Sequence, residues 1–201
     1  MHDVTAIILA AGLSRRMGVR NKLLLPISGV PMIRHMVNVY SAAIDGPVLV
    51  VTGHEADVVE AGLEGSAAVT VFNADYAQGQ PTSVACGLRG AGDAKAILIG
   101  LGDQPLLSAA DVSALLLAHN QADVGRISIP KLGDQRGNPI VVPTALRVQI
   151  LADPRSPGCK KFTRENPEQV QFHALAAPGF YADIDTPEAY DALAAIVKEP
   201  V

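Results

Sequence analysis

Four stretches of this chain are apolar at nearly every position: Thr5–Leu9, Pro47–Val51, Val69–Phe72 and Ala96–Leu101. A strand with one wet face alternates apolar and polar residues, whereas a strand covered on both faces does not, so these runs predict a sheet buried between layers. Between them the spacing turns helical. Ile33, Met36, Val37, Tyr40 and Ile44 follow Pro31, a residue suited to a first helical turn. Thr52-Gly53-His54 leads into a short helix through Val58, Val59 and Leu63, and Ser108 with Asp111 three residues on opens another through Leu115, Leu116 and Leu117. Strand and helix alternate, which predicts an α/β chain with a doubly wound, Rossmann-like, mostly parallel sheet. The second half is less regular. Ile127–Pro130, Ile140–Val142 and Val170–Leu175 read as strands and Ala145–Leu151 and Cys159–Glu165 as short helices, expected as a smaller sub-region over the sheet edge. Thr186-Pro187-Glu188 starts a last helix whose buried stripe is Tyr190, Leu193, Ala194 and Val197.

Composition narrows the reading. At 201 residues the chain fits one domain able to bury a core without disulfides or metals. Apolar residues make up 49% and charged ones 18%, with a formal net charge of -4, which argues against nucleic acid or an anionic membrane as partner. Cys86 and Cys159 lie far apart without metal-type spacing and read as free thiols of a reducing compartment. No apolar run approaches the length of a membrane span and no signal-like segment opens the chain, so the expected location is the cytoplasm.

The chemistry starts where the first strand ends. Thr5–Leu9 runs into Ala10-Ala11-Gly12-Leu13-Ser14-Arg15-Arg16-Met17-Gly18, followed by Asn21-Lys22-Leu23-Leu24. A buried strand emptying into a small, Gly-containing, doubly basic loop brings backbone amides and cations together on phosphates. The loop is not a Walker A motif, because five residues separate Gly12 from Gly18 and the lysine comes four later. It also lacks the G-x-G-x-x-G spacing of a dinucleotide fingerprint. Two arginines and Lys22 suit a triphosphate.

These residues resemble the N-terminal motif of the MobA-like nucleotidyltransferases, most closely the molybdenum cofactor cytidylyltransferases. Gly79-Gln80-Pro81-Thr82-Ser83, Gly102-Asp103-Gln104-Pro105-Leu106, Arg136-Gly137-Asn138-Pro139 and Asp183-Ile184-Asp185-Thr186-Pro187-Glu188 follow in the family's order. The resemblance implies one domain over residues 1–201, with a nucleotide-binding part over about 1–107 and an acceptor-binding part over about 108–201. It implies magnesium-dependent transfer of CMP from CTP to the terminal phosphate of molybdenum cofactor, giving the cytosine dinucleotide cofactor and pyrophosphate. Transient contact with a molybdoenzyme or its maturation chaperone would follow. Ala10-Ala11-Gly12 and Asn21-Lys22-Leu23-Leu24 are similar to the CTP-using branch.

Asp103 follows the Ala96–Leu101 run, at the carboxyl end of a predicted central strand where open α/β sheets place ligands. A hard carboxylate there suits magnesium on nucleotide phosphates, while its ordinary alternative is a turn aspartate bonding its own backbone. Asp183 and Asp185 alternate on an extended stretch, which predicts that they point to opposite faces and that one of them shares a site with Asp103. The resemblance selects Asp185 as the second metal carboxylate; its alternative is stabilisation of a helix N-terminus. The Asp-x-Asp-Thr run is also similar to an aspartyl-phosphatase signature, but its place late in the chain and Pro187 count against that. Lys22, Arg16 and Asp103 are the expected catalytic residues. Nucleotide contacts are expected from Leu9, Ala10, Ala11, Gly12, Ser14, Arg15, Arg16, Lys22, Gly79, Thr82, Ser83 and Asp103, with Gly79 to Ser83 resembling the family's base-recognition segment. Thr82 and Ser83 serve equally well as helix N-caps. Arg136, Gly137, Asn138 and Pro139 are expected at the acceptor. His54 reads as a loop or capping residue, His2, His35, His119 and His173 share no ligand spacing, and Cys86 reads as a small buried residue on a helix.

The chain departs from the family at Ser156-Pro157-Gly158-Cys159-Lys160-Lys161, where an acidic residue and a Gly-Ala-Arg run are common, and at Asn138, where histidine is frequent. Both departures fall in the acceptor region. They leave open another phosphorylated acceptor, such as a sugar or alcohol phosphate. A non-catalytic nucleotide or cofactor carrier and a dehydrogenase are the rivals of other classes.

Overall fold

The computed structural model describes residues 3–18, 20–153 and 158–197, apart from the side chains of Arg15 and of residues 194–197. His2, Ser156 and Pro157, and the side chains of Ala194 and Val197, thus lie outside the described residues. The elements run β1 (Val4–Leu9), β2 (Pro26–Ile27), β3 (Val30–Pro31), α1 (Met32–Ala43), β4 (Val48–Thr52), α2 (Ala56–Gly62), β5 (Val69–Phe72), α3 (Gln80–Gly90) and β6 (Ala96–Leu101). They continue with α4 (Ala109–Asn120), β7 (Ile127–Leu132), β8 (Gln135–Arg136), β9 (Ile140–Pro143), α5 (Arg147–Leu151), α6 (Cys159–Glu165), β10 (Val170–Ala174) and α7 (Pro187–Val197).

The main sheet has the order β10-β7-β9-β6-β1-β4-β5, with β8 paired to β7 and β2-β3 forming a separate hairpin. β1 pairs in parallel with β4 and β6, β4 with β5, and β7 with β10. β9 is reversed between β6 and β7. The late strands therefore continue the sheet rather than lying over its edge, because the reversed β9 offers β6 a ladder that a covering layer could not.

Consecutive residues of β1 feed opposite layers. Ala6 and Ile8 join Ile33, Met36 and Tyr40 of α1 and Leu115 and Leu116 of α4 on one face. Ile7 joins Val51, Val84 and Leu88 of α3, and Ile150 of α5 on the other. Each fully buried aliphatic side chain contributes about 1.5–3 kcal/mol of transfer free energy. Gly87 lets α3 lie close, since a Cβ there would stand 2.5 Å from Ile7 Cγ2. α4 opens with the expected capping box, the Ser108 hydroxyl accepting from the Asp111 amide at 3.2 Å and the Asp111 carboxylate from the Ser108 amide at 2.9 Å.

Three expectations need correction. β5 is not covered on both faces: it is the sheet's outer strand, and Val69 and Phe72 are exposed. Cys86 on α3 is only partly buried, its thiol directed to Phe72 O at that same open edge. Leu117 points outward while Leu115 and Leu116 pack, because three successive helical residues span too wide an arc for one buried stripe.

Candidate active site

The parallel strands β1, β4 and β6 all end at one edge, and the loops that leave them wall a cleft of about 470 Å³. Ala10 prolongs the β1 ladder by donating to Val51 O at 2.9 Å, after which Ser14 takes a left-handed conformation (φ 45°) and begins a 3-10 turn closed by Met17 N to Ser14 O at 2.9 Å. Met17 is buried beneath it, which fixes the turn and leaves Arg16 exposed. Among the described residues the amides of Gly12, Leu13 and Ser14 donate to no protein acceptor. Leu9, Ala10, Ala11, Gly12, Ser14, Arg16, Lys22, Gly79, Ser83, Asp103 and Asp185 all line this cleft. Thr82 does not, and the Arg15 side chain lies outside the described residues.

Asn21, which the sequence reading used only as part of a motif, positions Lys22. Its carboxamide oxygen accepts from Leu23 N at 3.1 Å and its amide group donates to Glu55 Oε2 at 3.0 Å. Lys22 is thereby aimed at two carboxylates, Asp103 and, at 2.7 Å, Asp185 Oδ1. Arg16 Nη2 takes Asp185 Oδ2 at 2.6 Å.

Asp183 corrects the expectation of opposite faces. Oxygens of Asp103, Asp183 and Asp185 lie within 4.8 Å of one another. Residues 182–185 are not a strand, so alternation does not govern them. Instead Ile184 is the anchor: its amide donates to Asp103 O at 2.9 Å, and its side chain is buried with Ile27, Met32 and Leu193.

The electrostatics follow from that crowding. Burial opposes the charge on Lys22, yet the Asp103 and Asp185 carboxylates hold its pKa above the ordinary lysine value. Burial works against Asp185 as well, but the hydrogen bond and charge of Lys22 keep its carboxyl below the usual range. Burial together with the Asp185 charge pushes Asp183 up. Asp103 Oδ1 is buried without a hydrogen-bond partner. Three hard oxygen donors, one of them orphaned, fit a divalent cation such as magnesium, and no nitrogen or sulfur ligand competes in the cluster.

The segment before α3 is built differently from expectation. Gly79, at φ 109° where only glycine is unstrained, is the helix N-cap, so Thr82 and Ser83 fall inside the first turn rather than capping it. Their hydroxyls accept from Asn73 Nδ2 at 2.9 and 3.1 Å, tying the end of β5 to α3. Asn73 carried no motif and was invisible as a positioning residue. Tyr76, Ala77 and Gln80 complete that wall. His54 stacks beside Tyr76 at 6.1 Å between ring centroids and does not line the cleft.

A second cavity of about 1110 Å³ adjoins the first, and Leu9, Arg16, Gln80, Leu101 and Asp183 line both. Arg136, Gly137 and Asn138 face it; Pro139 does not. The remaining walls come from α3 and from α6, including Lys160 and Lys161 of the segment that departs from the family. Among the described residues no helix is long and apolar enough to cross a membrane.

Comparison with known proteins agrees with this fold. A solved nucleotidyl transferase from Methanothermobacter thermautotroptrophicus superposes with a TM-score of 0.81 at 27% identity, covering 96% of this chain and 97% of that one. Nicotine blue oxidoreductase of Paenarthrobacter nicotinovorans is 28% identical over 190 residues, 92% of this chain and 93% of its own length. The bifunctional protein GlmU of Geotalea uraniireducens is 34% identical over 121 residues, 59% of this chain, and the match spans only 26% of that longer protein. The model of the MobA-like NTP transferase domain matches residues 6–170, and the chain belongs to that family.

Proposed function

We propose that this protein is a magnesium-dependent cytidylyltransferase that moves CMP from CTP to the terminal phosphate of molybdenum cofactor. The observation that carries the reading is the seam of the two cavities, where Asp103, Asp183 and Asp185 meet Lys22 and Arg16. An acceptor phosphate attacks the α-phosphorus of the nucleotide in line, and pyrophosphate leaves. Asp103, Asp183 and Asp185 would hold the divalent cation, which when bound supplies charge neutralisation at the α-phosphate and the leaving group. Lys22 and Arg16 leave their carboxylates for the β- and γ-phosphates, and the unpaired amides of Gly12 to Ser14 complete the cradle. No general base is needed, because a phosphate nucleophile is already ionised near pH 7. The protein's task is positioning and charge compensation. Base choice and acceptor rest on the resemblance of Ala10-Ala11-Gly12 and Asn21-Lys22-Leu23-Leu24 to the CTP-using branch.

A second reading is favoured by one finding, the name of the relative that matches over 92% of the chain: an oxidoreductase. One experiment separates the two. Pyrophosphate release is followed with magnesium and freshly released molybdenum cofactor across CTP, GTP, ATP and UTP, with oxidation of reduced nicotinamide cofactor monitored in parallel. Release with CTP and cofactor supports the proposal. Release only in parallel arms that replace the cofactor by a sugar or alcohol phosphate moves the acceptor; no release, with CTP bound, leaves a carrier; and nicotinamide oxidation without release sinks the transferase.

A further inference from the structure

The second cavity is asymmetric in charge. Asp183 lies at its seam with the first cavity, while Arg136 on β8 and Lys160, Lys161, Arg164 and one acid, Glu165, on α6 make up a rim that is cationic on balance. None of Arg136, Lys160 and Arg164 has a carboxylate within ion-pair range among the described residues. That arrangement is unusual in a chain with more acids than bases.

The neighbours show that pairing was open to this helix. Lys161, adjacent to Lys160, takes Asp153 at 2.5 Å and Glu165 at 3.8 Å, so Glu165, which also lines the cavity, is engaged by Lys161. Lys160 and Arg164 are instead one turn apart with like charge and both line the cavity, a spacing that destabilises a helix by about 0.2–0.5 kcal/mol. Across from them the Arg136 guanidinium sits 4.9 Å from the centre of the Phe172 ring, which orients it without neutralising it. Between rim and seam the wall is apolar, formed by Val84, Ile99 and Ile140.

We propose that Arg136, Lys160 and Arg164 form a second anion subsite, so that this enzyme selects an acceptor bearing a negative group remote from its reacting phosphate, with an apolar body between. The proposal rests on the nucleotidyltransferase reading and adds a feature of the acceptor that the reading does not contain. A simple sugar or alcohol monophosphate would leave the rim cations empty. An acceptor charged at both ends spans the cavity, and its second contact becomes intramolecular, with the affinity gain that linkage brings.

The test uses the full chain with magnesium and a non-hydrolysable CTP analogue, and calorimetric binding of 1,6-hexanediol bisphosphate against hexyl phosphate, which shares the apolar body. Three exposed cations should favour the bisphosphate by about tenfold. The preference should vanish in Lys160→Gln/Arg164→Gln, an exchange that keeps helix propensity. Hexyl phosphate supplemented with equimolar inorganic phosphate should not reproduce it. Equal affinities in the wild type, a preference that survives in the variant, or full substitution by free phosphate would each overturn the proposal. Binding of the CTP analogue is read separately, so its failure marks the nucleotidyltransferase reading as wrong, whereas its success with no bisphosphate preference marks only the subsite as wrong.

Discussion

Replacing Lys22 by methionine keeps the length and apolar stem of the side chain but removes the charge between Asp103 and Asp185. Lys22 and Asp103 are 13% and 16% exposed at the side chain and Asp185 26%, so the ion pairs lie under rather than on the surface. A pair of unit charges at about 4 Å is worth about 4 kcal/mol at the effective dielectric of such a position. Removing one partner of a fully buried pair costs about 3–5 kcal/mol, and partial exposure here reduces that to about 2–3 kcal/mol. For a domain of this size the loss corresponds to about 4–12 °C in Tm. The pH dependence has a definite sign. Asp185 is held below its unfolded value of 3.8, so its contribution is present above that pH and is lost as pH falls through the lower folded value. Lys22 is held above 10.5, so its contribution is present below that pH and is lost as pH rises through the higher folded value. The difference between wild type and Lys22→Met is therefore greatest between about pH 4 and 10 and shrinks in acid as Asp185 protonates. Magnesium or manganese should raise the Tm of the variant more than that of the wild type, because the cation replaces the charge that was removed. Thermal unfolding across pH, with and without metal, reads all three effects. A variant as stable as the wild type at neutral pH would refute the reasoning.

Other consequences are as specific. Asp103→Ala and Asp183→Asn should each lower pyrophosphate release by at least about a hundredfold while leaving the far-UV circular dichroism unchanged, and unchanged turnover in either would remove that carboxylate from the site. Asn73→Ala strips the donor from the Thr82 and Ser83 hydroxyls and should cost about 1–3 kcal/mol in urea denaturation; a neutral result would show that water replaces it. Gly87→Ala forces a Cβ to 2.5 Å from Ile7 Cγ2 and should cost about 1–3 kcal/mol through overpacking, read in the same assay.

The layers and the first half of the site were legible because their signals are local. An unbroken apolar run such as Ala96–Leu101 marks a covered strand, and a carboxylate just past it is placed by topology alone. Val69–Phe72 shows where this fails: the run is as apolar as the others, but its position at the sheet edge depends on pairings that no local window contains. Asp183 failed for a different reason. Alternation does not govern a segment held in place by the Ile184 amide on Asp103 O, a contact between stretches far apart in the chain. Asn73 and Asn21 act through hydrogen bonds that leave no periodicity at all. The split between Lys160 and Lys161 depends on which acids the fold brings to α6.

The bond between Arg16 and Asp185 joins residues 169 positions apart, and the hairpin β2-β3 meets α7 through Ile27, Ile184 and Leu193. Contacts of such separation are the slowest to form, since the intervening chain must first be ordered. During synthesis the glycine loop and Asp103 emerge and can collapse onto the central strands long before Asp183 and Asp185 leave the ribosome. Until that last segment docks, the nascent domain holds Lys22 with Asp103 alone and Arg16 with no carboxylate partner. Completion of the proposed metal site is thus a late event in folding, and a chain truncated ahead of Asp183 would lack two of its three carboxylates.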